Sequence, residues 1–266
     1  MIIIRFFMQK INVGKIKKKL LKNGFCIINN FYSIKKCNYF KKEILKILKE
    51  RTNKSKYTGS KNSIVLYNYF EENLKLSELV YNKKLDNILS SIIDAEYVLN
   101  NAVVRNISNY RPKSKKFKNV IGTTSLWHTD SRFIQNTAIY PPINYLLITP
   151  LENFNKANGA TKYVPNSHKI LKRRKNQKIK NFKYLEAKQG SLIIMDVNLL
   201  HKAGDPSHLS RWSVWNKYSP WFVKPYFQFD KIIKNKKISK KLKKILHFNS
   251  IPPENYTSRR STVTKL

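Results

Sequence analysis

The chain has 266 residues, enough for one well-buried core and too few for several. Lys and Arg number 53 against 15 Asp and Glu, a formal net charge of +38, and two Cys exclude a disulfide-stapled scaffold. No apolar run approaches the length of a membrane span, and the Met1 to Met8 patch, interrupted by Arg5, is too short for a secretory leader with its cleavage site. Cys26 and Cys37 are expected as buried thiols in a reducing, cytoplasmic setting.

Ile16, Leu20 and Leu21 mark a short amphipathic helix, which Asn23-Gly24 ends because Gly accepts a left-handed cap. Phe25 to Asn29 is the first expected strand. Ser33 is placed to cap a second helix, whose apolar positions Ile34, Cys37, Ile44, Ile47 and Leu48 follow helical spacing. Arg51 to Asn62 reads as a polar loop, and Leu74 to Ile93 as a further helix. From Tyr97 the pattern changes to short β-rich runs: Tyr97 to Ile107, Ser125 to Asp130, Asn144 to Pro150, Thr161 to Val164, Gly190 to Met195 and Arg211 to Tyr218. Helices before a strand-rich half give an α+β order, and many short antiparallel strands suggest a sandwich or jelly roll. Arg111 to Gly122 reads as a basic lid, Lys169 to Lys183 as a basic insertion, and Ile238, Leu242, Ile245 and Leu246 as a Lys-rich terminal helix. One domain over 1–266 is expected. Within it, 10–95 is helical support, 97–220 the β core carrying the site, and 221–266 a basic C-terminal extension.

The chemistry centres on Trp127-His128-Thr129-Asp130. Strand side chains alternate between faces, so His128 and Asp130 point the same way and can reach one metal ion. His201, at the end of the apolar Gly190 to Leu200 segment, is the best third ligand, with His168 and His208 as competitors. Two His and one carboxylate with open positions is the arrangement of non-haem Fe(II) oxygenases. Arg211 follows in an apolar run, where a forked, permanent cation suits a bidentate grip on a carboxylate such as that of 2-oxoglutarate. Ser213 shares its face by period two and is a second candidate for that carboxylate. Arg105, Asn101 and Asn144 lie on strands expected to face the same cavity and are candidate substrate contacts.

Four pieces in order carry a family resemblance: Trp127 to Asp130; Asn158-Gly159-Ala160-Thr161-Lys162-Tyr163-Val164-Pro165-Asn166-Ser167-His168; Gly190 to His201; and Arg211. With Asn23-Gly24-Phe25-Cys26-Ile27-Ile28 at the start, they resemble the phytanoyl-CoA dioxygenase family, over about residues 16 to 220. Asn166 stands where the family's turn usually has Gly. The resemblance implies a double-stranded β-helix (a jelly-roll, cupin-like core) with flanking N-terminal helices. It implies His128, Asp130 and His201 as metal ligands and catalytic centre, Arg211 for the co-substrate, and a structural role for His168. The implied cofactors are Fe(II), 2-oxoglutarate and O2. The implied reaction is hydroxylation of a small-molecule substrate, with release of succinate and CO2.

Two other classes compete with an enzyme. A metal-binding jelly roll without turnover is disfavoured by the joint presence of two His, an Asp and an Arg. A nucleic-acid binder is suggested by charge alone, without a recognisable binding motif. The charge is spread from Lys10 to Lys265, which favours compositional drift towards Lys, Asn and Ile. The scarcity of acids keeps an anionic substrate in view, drawn in by Lys113, Lys115, Lys116 and Lys118 of the lid.

Overall fold

The computed structural model describes residues 12–53, 58–60, 63–107, 126–131, 140–170, 179–205, 207–233 and 236–248. The expected lid at 111–122 lies outside the described residues, as does 171–178 of the basic insertion. Helix α1 (Val13–Asn23) starts at Asn12, whose side chain accepts the Lys15 amide, and ends at Gly24, left-handed at φ 78°. Strand β1 (Phe25–Ile28) follows, then α2 (Ile34–Asn53), where the Ser33 hydroxyl accepts the Lys36 amide.

The stretch read as loop ends in a hairpin, β2 (Thr58–Ser60) with β3 (Ser63–Tyr67). Ile64 and Leu66 alternate with half-buried neighbours there, a signal too short to register against its polar surroundings. The single helix expected over Leu74 to Ile93 is two elements, a 3-10 turn over Leu74–Leu79 and α3 (Lys83–Ile93). The break falls at Asn82, which is extended and uses its side chain to accept the Leu85 amide, as an N-cap does.

Strands β4 (Tyr97–Ile107), β5 (Tyr145–Pro150), β6 (Lys162–Tyr163), β7 (Lys183–Tyr184), β8 (Leu192–Asp196), β9 (His201–Lys202) and β10 (Trp212–Pro220) complete the β half. Two short helices close the described chain, α4 (Phe229–Ile232) and α5 (Lys240–Ile245). The main sheet has the order β1-β8-β5-β10-β4-β3-β2, with every pairing antiparallel, and a smaller sheet has the order β7-β6-β9. The run expected as a strand at Ser125 to Asp130 contributes, among its described residues, one bridge between His128 and His201.

Period-two alternation divides the main sheet between two environments. Leu99, Val104, Leu147, Ile194 and Val214 face α1, α2 and α3 in the larger apolar cluster. Val103, Leu146, Ile148, Ile193, Met195 and Trp215 face the smaller sheet's side, with Phe154, Ala160 and Leu185. Each fully buried aliphatic side chain contributes about 1.5–3 kcal/mol. Most of that burial lies on the helical face, which leaves the other face free to hold polar groups. Two sheets enclosing the second cluster, with helices stacked outside, form a double-stranded β-helix with N-terminal support. Among the described residues no helix is long and apolar enough to cross a membrane.

Candidate metal and co-substrate site

Backbone bonds lay the His-x-Asp segment along the chain that follows β8. His128 and His201 exchange amide–carbonyl bonds at 2.9 Å each way, and the Asp130 amide donates to the Val197 carbonyl at 2.9 Å. These bonds align the three side chains although 126–131 forms no regular strand. One ligand atom from each of His128, Asp130 and His201 then falls within 4.8 Å of the other two. The imidazole centroids are 4.4 Å apart, and His201 Nε2 lies 3.8 Å from Asp130 Oδ2.

The tautomers follow from the partners. His128 Nδ1 sits 2.8 Å from the Leu126 carbonyl and His201 Nδ1 2.9 Å from the Leu199 carbonyl. A carbonyl only accepts, so each Nδ1 carries the proton and donates it, leaving the Nε2 lone pair available to a metal. Burial alone would raise the Asp130 pKa. His201, Lys217, His128 and Arg105 outweigh burial and hold it below the ordinary carboxylate range. Two neutral imidazoles and one ionised carboxylate form a donor set that fits Fe(II).

Arg211 is 1 % exposed, and its backbone is held from both sides. Its own amide donates to Asn106 Oδ1 at 2.8 Å, while the next amide, of Trp212, donates to Glu152 Oε2 at 2.9 Å. The guanidinium lies 4.5 Å over the Phe154 ring and donates Nη1 to Thr161 Oγ1 at 3.3 Å. Among the described residues its Nε is buried without a hydrogen-bond partner, and no carboxylate pairs with it. Burial first, and the neighbouring Arg105 second, bring its pKa down to about 9, so it remains cationic at neutral pH. A buried cation in this state calls for an anionic ligand, and the distal carboxylate of 2-oxoglutarate fits.

One pocket gathers His128, Asp130, His201, Arg211, Arg105 and Asn101. Asn144 and Ser213 are not in its lining. Ser213 shares the expected face, but its hydroxyl accepts the Trp215 indole N–H at 2.8 Å and lies 3.4 Å from the Arg105 carbonyl. Thr161, rather than Ser213, supplies the hydroxyl beside the guanidinium. Sequence reasoning missed Thr161 and also Lys217, which continues the alternation Arg211, Ser213, Trp215 into the pocket. His168 is buried, and its Nε2 lies 3.1 Å from the Leu21 carbonyl; His208 is exposed.

Thr161 reaches the guanidinium because two glycines let its turn approach the chain after β9. Gly159 has φ +77°, and a Cβ there would meet the Asp205 carbonyl oxygen at 2.5 Å. A Cβ on Gly204 would overlap the Ala160 carbonyl oxygen. The Asn155 and Asn158 side chains each accept the other's backbone amide, which fixes the turn's entry.

No curated protein matches the chain. Among solved structures, AviO1 from Streptomyces viridochromogenes Tue57 is similar with a TM-score of 0.57 at 15% identity, covering 80% of this chain and 97% of that one. The non-heme alpha-ketoglutarate-dependent epimerase SnoN from nogalamycin biosynthesis is similar with a TM-score of 0.55 at 11% identity, covering 78% and 83%. At such identities both likenesses speak for the fold. The family model for phytanoyl-CoA dioxygenase (PhyH) matches residues 20–211, most of the chain and all three clustered side chains. The chain therefore belongs to the phytanoyl-CoA dioxygenase family of oxygenases, which work with Fe(II), 2-oxoglutarate and O2.

Proposed function

We propose that this protein is a 2-oxoglutarate-dependent hydroxylase of a small organic substrate. In this reading His128, Asp130 and His201 hold Fe(II), and Arg211 with Thr161 holds the far carboxylate of 2-oxoglutarate. The observation that carries it is the buried Arg211 guanidinium, paired with no carboxylate among the described residues and lining the same pocket as His128, Asp130 and His201. When bound, Fe(II) with 2-oxoglutarate supplies oxygen activation and hydrogen-atom abstraction from substrate, releasing succinate and CO2. The chain's residues do the positioning. The Leu126 and Leu199 carbonyls fix both imidazole tautomers, and the surrounding cations keep Asp130 ionised. Val103, Ile107, Leu146 and Trp215 give the pocket apolar walls that limit water.

The test is anaerobic loading of the protein with Fe(II) and 2-oxoglutarate, followed by O2 and a panel of small molecules, with succinate and product mass as readouts. Substrate-stimulated succinate and a product one oxygen heavier are expected. A product of unchanged mass but inverted configuration would make the outcome an epimerisation, the reaction of the epimerase SnoN. His128→Ala, Asp130→Ala and His201→Ala should each abolish Fe(II) binding by calorimetry while retaining the wild-type circular dichroism. A His201→Ala protein that binds Fe(II) normally would remove His201 from the ligand set.

A further inference from the structure

The same pocket has a second cationic wall, formed where β4 and β10 run side by side. Lys217 and Asn101 are direct register partners there, and both line the cavity with Arg105 and Tyr226. Lys217 is only 4 % exposed in the middle of the sheet, where a lysine is costly to bury. Its Nζ donates to the Tyr226 hydroxyl at 2.9 Å and lies 4.4 Å from that ring's centroid. Tyr226 is half exposed at the rim, and its amide donates to the Asn100 carbonyl, which ties the rim to β4.

Charge gives the wall its preference. Arg105, Arg211 and Lys217 are the described cations of the lining, against the single carboxylate of Asp130. From Tyr97 to Leu151 the sequence contains no acid except Asp130, so the chain flanking the His-x-Asp motif brings no other carboxylate. Fe(II) and dianionic 2-oxoglutarate cancel each other, and the described lining of the loaded pocket still holds two more positive charges than negative.

Resting on the oxygenase reading above, we propose that the Lys217–Tyr226 wall is a subsite for an anionic oxygen group, carboxylate or phosphate, on the organic substrate. Lys217 supplies the charge and Tyr226 holds its ammonium at the rim. Arg105, 5.9 Å over the Trp215 ring, adds to the positive potential without leaving its strand. An ammonium is a point charge that serves carboxylate and phosphate alike, so the substrate class is an organic acid or a phosphate ester.

The test uses the full chain loaded anaerobically with Fe(II) and 2-oxoglutarate, whose visible charge-transfer band reports that both are in place. Hexanoate, hexyl phosphate and neutral hexanamide are then titrated by calorimetry. At least one anion should bind about tenfold more tightly than the amide, the worth of one charged hydrogen bond. The tighter anion tells carboxylate from phosphate. Lys217→Met, close in shape and uncharged, should erase the margin. Tyr226→Phe, altered only at the hydroxyl of a half-exposed residue, should reduce it by about threefold. Equal binding of anion and amide, or a margin that survives Lys217→Met, overturns the subsite. So does loss of the band in Lys217→Met, which would assign Lys217 to the metal and co-substrate site through its charge beside Asp130. A wild-type protein that forms no band overturns the oxygenase reading itself and the subsite with it, whereas a band without anion preference overturns the subsite alone.

Discussion

Arg211 shows how one residue's surroundings define its task. It is held at the backbone by Asn106 and Glu152, stacked on Phe154, and left with an Nε that has no partner among the described residues. If the far carboxylate of 2-oxoglutarate completes it, Arg211→Ala should raise the co-substrate KM about a hundredfold, the cost of breaking a sheltered charge pair. Fe(II) affinity, measured separately by calorimetry, should stay near wild type. Arg211→Lys keeps the charge without the fork and should fall between the two. Thr161→Val removes the hydroxyl beside the guanidinium and should cost up to about tenfold in the same KM. Ser213→Ala should change it by no more than about twofold, because its hydroxyl is engaged with the Trp215 indole. A Ser213 effect larger than that of Thr161 would reverse this assignment of hydroxyls.

At the scale of elements, the site depends on the close approach of the turn before β6 to the chain after β9. Gly204→Ala puts a methyl group into the Ala160 carbonyl and should destabilise by about 1–3 kcal/mol, as other overpacking changes do. The melting temperature should fall by about 2–4 °C per kcal/mol in a chain of this size. Gly14 in α1 is the contrast, since it is exposed and a Cβ there meets only Asn12 Oδ1 at 3.4 Å. Gly14→Ala should stabilise by about 0.5–1 kcal/mol. Thermal melts of both variants check opposite signs from one substitution type. Elements of this kind were unevenly legible in the sequence. The strand at Tyr97–Ile107 was readable to the residue, and those at 145–150, 192–196 and 212–220 within two residues, because short apolar, β-rich runs bounded by turn signals leave little ambiguity. The His-x-Asp spacing was legible too, though its alignment comes from backbone bonds to Val197 and His201 rather than from a strand of its own. Thr161 was not legible as a site residue. Its role depends on a contact between positions 50 residues apart, which no local period encodes. The β2–β3 hairpin was hidden by its shortness, and the break at Asn82 by apolar residues that continue on both sides of it.

The whole molecule adds a pH response. Burial lowers the pKa of His168, against the opposing Leu21 carbonyl bond, and burial likewise lowers that of His247. Each folded-state pKa therefore lies below the unfolded value of about 6.5. Below that pH the unfolded chain binds protons that the folded one resists, so this share of stability is complete above it and is lost as pH falls. Urea melts at constant ionic strength should show stability dropping between pH 7.5 and 5.5, with a shallower slope in His168→Gln. A flat profile would mean that neither imidazole resists protonation. The strand order reaches further than stability. β10 lies between β5 and β4, which are not paired with each other, and Phe25 of β1 is paired with Met195. A chain that stops at residue 211 carries His128, Asp130 and His201 but lacks the central member of the main sheet, and with it the Trp215 and Lys217 side chains that wall the pocket on that side. In the proposed reading, such a fragment would keep the metal-binding side chains without the shelter that contains their chemistry.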